Sequence, residues 1–139
     1  MIEQLSLTGI SDYEAYRFDW HSSFHGSAVV CIAFHDAGAS LRWRYNWFRQ
    51  SAPDDSPPEK TLSREDRTRL LDALSAAEFW TVDLPDPLTG LDGAQWLIEG
   101  WRGNNHRELS RFSPDAEIYV LGRLFFELAG PPLSKIELY

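Results

Sequence analysis

Aromatic and charged residues alternate along residues 15–21, where Tyr16, Phe18 and Trp20 interleave with Arg17, Asp19 and His21. A period of two sends the rings to one side and the charges to the other, so this stretch predicts a half-buried strand. Ser22 to Gly26 form a polar loop. In 27–35, Val30, Ile32 and Phe34 share one face, and Val29, Cys31, Ala33 and His35 share the other. Asp36-Ala37-Gly38-Ala39 is a turn, because Gly38 can adopt a positive φ. Residues 40–48 predict a third strand, with Leu41, Trp43, Tyr45 and Trp47 opposite Arg42, Arg44 and Asn46. Together the three segments read as an antiparallel meander whose rings point inward.

The pattern then breaks. Residues 49–61, RQSAPDDSPPEKT, hold three prolines and no aliphatic side chain larger than Ala, and read as a solvated connection. Ser63 opens a helix, with Glu65 and Asp66 near the positive end of its dipole and Leu70, Leu71, Leu74 and Ala77 at helical spacing. Phe79 and Trp80 are expected to pack where this helix ends. Residues 81–94 form a long loop made acidic by Asp83, Asp86 and Asp92. Segments 95–101 and 106–112 predict a hairpin around Arg102-Gly103-Asn104-Asn105, in the register that sets Trp101 opposite His106 and Trp96 opposite Arg111. Ser113-Pro114-Asp115 starts a second helix. Its stripe is Ile118, Leu121, Leu124, Phe125 and Leu128, and Gly130 with Pro131 and Pro132 stops it. Ile136 to Tyr139 read as an edge strand or a docked tail.

The order β-β-β-α-β-β-α predicts an α+β fold in two layers, with an antiparallel sheet of about five strands packed by two helices. At 139 residues the whole chain, 1–139, fits a single domain. The aromatic share of 14% is high, so rings are expected to fill much of the core. The formal charge of −8 disfavours nucleic acid and anionic membranes and would draw in a basic partner. Cys31 is the only cysteine, so no internal disulfide can form. The opening MIEQLSLTG lacks the basic and apolar stretches of a signal peptide, and no apolar run nears the ~18 residues of a membrane span. The expected compartment is the cytoplasm.

The run Leu91-Asp92-Gly93-Ala94-Gln95-Trp96-Leu97-Ile98-Glu99-Gly100 stands with Phe79-Trp80, Leu84-Pro85, Gly103, His106, Arg111, Ser113-Pro114 and a closing Leu-Gly…Leu-Ala-Gly. In this combination the chain resembles a family of small uncharacterised bacterial proteins. In that family Phe-Trp, Leu-Pro and DG-x-x-W-x-x-E precede a hairpin ending H-x-x-x-x-R-x-SP. The resemblance covers roughly the C-terminal half and departs at Asn105, where such relatives often carry an aromatic residue. It supports the fold and implies no activity.

The strongest polar constellation is Asp92, Glu99, His106 and Arg111. A His among carboxylates and an Arg can perform acid–base work. The hairpin register makes Glu99 and His106 diagonal neighbours on one face and sends Arg111 to the other, which favours a structural network. His21, His25, His35 and Cys31 lack the spacing of a zinc site, so no metal and no cofactor are expected. Cys31 sits mid-strand among Val and Ala and reads as a packed, inert thiol. Gly-x-Ser-x-Gly, phosphate-loop and dinucleotide motifs are missing, and no enzyme activity is expected.

Two surfaces remain. Arg17, His21, Arg42 and Arg44, with Asp19, Cys31, Ala33 and His35, share the outer sheet face and predict a shallow trough with a basic rim that would accept an anion. The acidic loop at Asp83, Asp86 and Asp92 would face a basic protein. The expected function is therefore a non-enzymatic binding module acting by protein–protein contact, for instance an inhibitor or immunity-type partner. The alternative is a small-molecule or anion binder, or an enzyme, using the Arg17/Arg42/Arg44 face or the Glu99/His106 pair. The aromatic count also admits a homodimer.

Overall fold

The computed structural model describes residues 14–22, 26–35, 38–46, 59–82, 94–112, 116–136 and 138. The expected strands are present as β1 (Glu14–Ser22), β2 (Gly26–His35) and β3 (Gly38–Asn46), then β5 (Ala94–Arg102) and β6 (Asn105–Phe112). A sixth, β4 (Lys60–Leu62), lies between them and corrects the reading of 49–61 as a connection throughout. Three residues with one apolar side chain give no alternation to detect. Tertiary pairing makes the strand, since Ala39 opposes Leu62 and Leu41 opposes Lys60. All neighbours are antiparallel, and the order across the sheet is β4-β3-β2-β1-β5-β6.

Helices α1 (Arg64–Ala76) and α2 (Ala116–Ala129) belong to the second layer. Ser63 caps α1 through a capping box, its hydroxyl accepting from the Asp66 amide at 3.0 Å. Leu70, Leu74 and Ala77 are buried as expected, whereas Leu71 is 37% exposed and lies outside the stripe. Arg67 ties the helix to the sheet by donating to the His35 carbonyl at 2.8 Å, with its guanidinium 4.7 Å above the Phe34 ring. The expected start of α2 at Ser113-Pro114-Asp115 lies outside the described residues. All five residues of its expected stripe are buried, and so are Gly122, Phe126 and Ala129. Gly130 ends it at φ 83°. Lys60 donates to the Leu128 carbonyl at 2.7 Å, placing a cation at the negative end of α2. After a short 3-10 turn (Leu133–Lys135), Ile136 packs against the core and Leu138 is buried, while residues 137 and 139 of the expected edge strand or docked tail lie outside the described residues.

Every expected inward residue of β1 is buried, with Tyr16, Phe18 and Trp20 at 1% exposure or less. Trp43 is buried and Tyr45 half-buried against the core, while Trp47 lies outside the described residues. Phe18 meets Trp96, Phe125 and Phe126 at ring distances of 5.0, 5.7 and 5.4 Å. Two glycines make room for rings. A methyl group on Gly122 would collide with Trp96, and one on Gly100 would stand 2.7 Å from Phe79 and 2.9 Å from Tyr16. Both are sites where only a missing side chain lets aromatic residues seat.

Candidate functional site

The hairpin β5–β6 has the expected register, with Trp101 opposite His106 and Trp96 opposite Arg111. Gly103 takes φ 61°, which a two-residue turn of this hand requires at its first position. Period-two geometry therefore sends Trp96 and Arg111 toward the helices and Glu99, Trp101 and His106 to the outer face. Arg111 is thus separated from Glu99 and His106. Asp92 lies outside the described residues, as do Asp83 and Asp86.

Strand β1 sits between β2 and β5, in the sheet interior. That position changes the trough. With only the first three strands in view, Arg17 stands on its flank. Pairing with β5 instead sets Arg17 directly opposite Glu99. The Arg17 guanidinium lies 2.8 Å from Glu99 Oε1, and its Nε is 3.7 Å from Asp19 Oδ2. His106 Nε2 lies 2.6 Å from the other Glu99 oxygen, and its ring packs on Trp101 with centroids 5.3 Å apart. Glu99 is 8% exposed. Its carboxylate thus engages a cation on one side and an imidazole on the other, linking β1, β5 and β6. Such a doubly engaged group is held as a clamp. Arg42 is exposed at the other end of the same row, 3.6 Å from Glu59.

Cys31 stands between Arg17 and Arg42 in register and is buried. Burial pushes its thiol up to about 12, the flanking guanidinium groups only partly opposing the shift. A thiol in that state is neutral and unreactive near pH 7. Asp19 is held above the ordinary carboxylate range by burial. Arg17 and His21 pull it back, and Glu99 adds to the rise. Among the described residues, no group of three or more His, Cys, Asp or Glu is placed to hold a metal ion. None of their helices is long and apolar enough to cross a membrane.

The Phe-Trp pair of the sequence signature works on the inner face. Phe79 is fully buried above Gly100, and Arg107 donates to the Trp80 carbonyl at 2.9 Å. Arg102 lies 4.5 Å over the Trp80 ring. These contacts fasten the end of α1 to the tip of the hairpin.

A cleft of about 290 Å³ opens at the far end of the sheet, lined by Asp19, His21, Ser27, Arg44 and Asn46 among others. His21 and Arg44 of the expected trough line it, whereas Arg17 and Arg42 do not. Five strand ends meet at this end of the sheet, as the register shows. Ser22 opposes both Gly26 and Ala94, Ser27 opposes Asn46, and Gln95 opposes Phe112. Segments 23–25, 47–58, 83–93 and 113–115 each join one or more of these strand ends, and in sequence they contain Asp54, Asp55, Asp83, Asp86, Asp92 and Asp115 against one basic residue, Arg49. That these strands end together was not legible in the sequence, because it needs the register across the sheet. No protein-family model matches the chain, and no curated protein is detectably similar to it.

Proposed function

We propose that the chain is a non-catalytic binding module that captures a basic protein through the acidic segments attached to one end of its sheet. One observation carries the reading: the segments joined to strand ends on one side of the sheet, 23–25, 47–58, 83–93 and 113–115, hold six Asp against one Arg. Charge placed on segments around one end of a rigid sheet focuses attraction there, which raises the association rate of an oppositely charged partner. A small acidic protein of the inhibitor or immunity type would use charge in this way. The anion-binding alternative draws less support, because Arg17 is committed to Glu99 and Arg42 faces Glu59.

The test begins with cross-linking in the native host and purification of the cross-linked partner. Association is then followed by stopped flow with the wild type and with the triple variant Asp83→Asn, Asp86→Asn, Asp92→Asn. The reading expects a partner of net positive charge. Its on-rate should fall about tenfold in the triple variant at low salt, and the two proteins should converge at high salt. Association that ignores both the triple variant and salt, or the absence of any stoichiometric partner, would reject it.

A further inference from the structure

The cleft at the end of the outer sheet face holds groups that neither the Glu99 clamp nor the acidic connections explain. Its outer-face side chains stand in two rows across three strands. Asp19, Val29 and Arg44 oppose one another in the first row, and His21, Ser27 and Asn46 in the second. Neighbouring strands lie about 4.8 Å apart, so Asp19 and Arg44 are roughly 10 Å apart at the backbone, with the short side chain of Val29 between them. Opposite charges thus flank an apolar floor. At about 290 Å³ the cleft is at the small end of the ~300–1,000 Å³ range of ligand sites, which limits an occupant to a small molecule.

Asp19 is the group that calls for a ligand. Its side chain is 22% exposed. The nearest cation, Arg17 Nε, stands 3.7 Å away, beyond hydrogen-bonding distance, while the same guanidinium engages Glu99 at 2.8 Å. No described residue donates a hydrogen bond to the Asp19 carboxylate. The charges that act on it are those of Arg17, His21 and Glu99, so Arg44 does not neutralise it across the valine. A carboxylate in this setting costs stability when ionised, and such groups cluster at binding sites. The fold has no use for a carboxyl there, whereas a ligand with an ammonium group does.

Arg44 supplies the complementary end. A guanidinium has five N–H donors in a planar fork, so it can hold a carboxylate through two hydrogen bonds and keep another contact. An α-amino acid carries an ammonium and a carboxylate on one carbon atom. With a charge-assisted hydrogen bond of about 2.8 Å at each end, that pair spans the gap between Asp19 and Arg44. The second row lies about 7 Å further along the strands, and His21, Ser27 and Asn46 each both donate and accept hydrogen bonds. It suits a side chain that does the same, such as a carboxamide.

We infer that the cleft binds a free α-amino acid with a carboxamide side chain, its ammonium on Asp19 and its carboxylate on Arg44. All six residues stand on strands, so the site is independent of any partner held by the acidic connections.

Titration calorimetry with L-glutamine and L-asparagine as probes tests it. At least one of them should bind the wild type saturably, at one site per chain. The N-acetylated and α-amidated forms of that probe each lack one charge and should bind about tenfold more weakly or worse. Asp19→Asn and Arg44→Met should each weaken binding by a similar factor, with thermal melts confirming that the variants fold. Arg44→Lys keeps the charge but loses the fork. It should also bind more weakly, and it decides the matter if Arg44→Met does not fold. Failure of both probes to bind the wild type would overturn the inference. So would an N-acetylated form that binds as tightly as its parent, which would make the cleft an anion site, or an amidated form that does so, which would make it a cation site. Binding that survives both substitutions would place the ligand elsewhere and overturn it as well.

Discussion

The two faces of strand β1 obey different physics although they alternate residue by residue. Tyr16, Phe18 and Trp20 face the helices at 1% exposure or less, and each ring is fixed by the shape of its neighbours. Arg17, Asp19 and His21 face the other way, and the first two are fixed by charge partners reached from within the strand or from β5. On the inner face a missing atom matters as much as a present one, as Gly100 and Gly122 show. On the outer face the contacts are polar, directional and partly wet, so they specify neighbours without requiring tight volume. The lesson is that this sheet is held together from one side and registered from the other.

The inner face gives the largest expected effect. Gly122→Ala would raise helix propensity in α2, a gain of up to ~1 kcal/mol in an open helix. Here the added methyl meets the ring of Trp96, which is fully buried and cannot swing aside. Overpacking should win, with a net loss of about 1–3 kcal/mol in urea unfolding. A variant as stable as the wild type would mean that the helical layer is loosely seated, and the contrast between the faces would collapse.

The next effect belongs to the clamp on the outer face. Removing the Glu99 carboxylate leaves Arg17, itself only partly exposed, without its closest counter-charge. Glu99→Ala should cost about 1–3 kcal/mol, more than an ordinary surface substitution. The double variant Arg17→Met, Glu99→Leu should recover part of that loss, because the stranded guanidinium is gone, the remainder reflecting Asp19, which loses Arg17 as its neighbour. A double variant as unstable as the single one would show that the pair is a stabilising element in its own right. No comparable rescue is expected at Gly122, where the obstacle is volume.

The same division explains what could be read from the chain. Alternation told which way each side chain of β1, β2 and β3 points, and the two-residue turn at Gly103 fixed the hairpin register, because both signals are local. Neighbourhood across the sheet is not local. The pairing of Arg17 with Glu99 joins residues more than half the chain apart, and nothing in either strand names the other as partner. Strand β4 escaped because its existence depends on Ala39 and Leu41 offering a ladder edge. Leu71 was counted in the α1 stripe on spacing alone, whereas the sheet covers only the side that holds Leu70 and Leu74. The opposite error occurred in α2. It sinks deep enough to bury Phe126 and Gly122 on both flanks of the expected stripe. The acidic connections combined both kinds of information, since their composition was visible but the strand ends they share were not.

The finest probe of the two faces is Asp19, because its effect is electrostatic and reverses the usual sign. Burial raises its carboxyl above the ordinary range, with Arg17 and His21 opposing and Glu99 reinforcing the rise. A carboxyl whose folded-state affinity for protons exceeds its unfolded-state affinity weakens the fold when it is ionised. Stability attributable to Asp19 is therefore greatest below the unfolded value near pH 4 and is lost as pH climbs through the raised folded value. A buried carboxylate with a strong pairing would show the opposite slope. Asp19→Asn should accordingly be at least as stable as the wild type at pH 7. The difference between the two should shrink as the pH is lowered through the carboxylate range, followed by thermal melts at fixed ionic strength. Should Asp19→Asn prove clearly less stable at pH 7 and draw level only in acid, the Arg17 pairing outweighs burial. The outer face would then stabilise the fold through its ion pairs, as the inner face does through its packing.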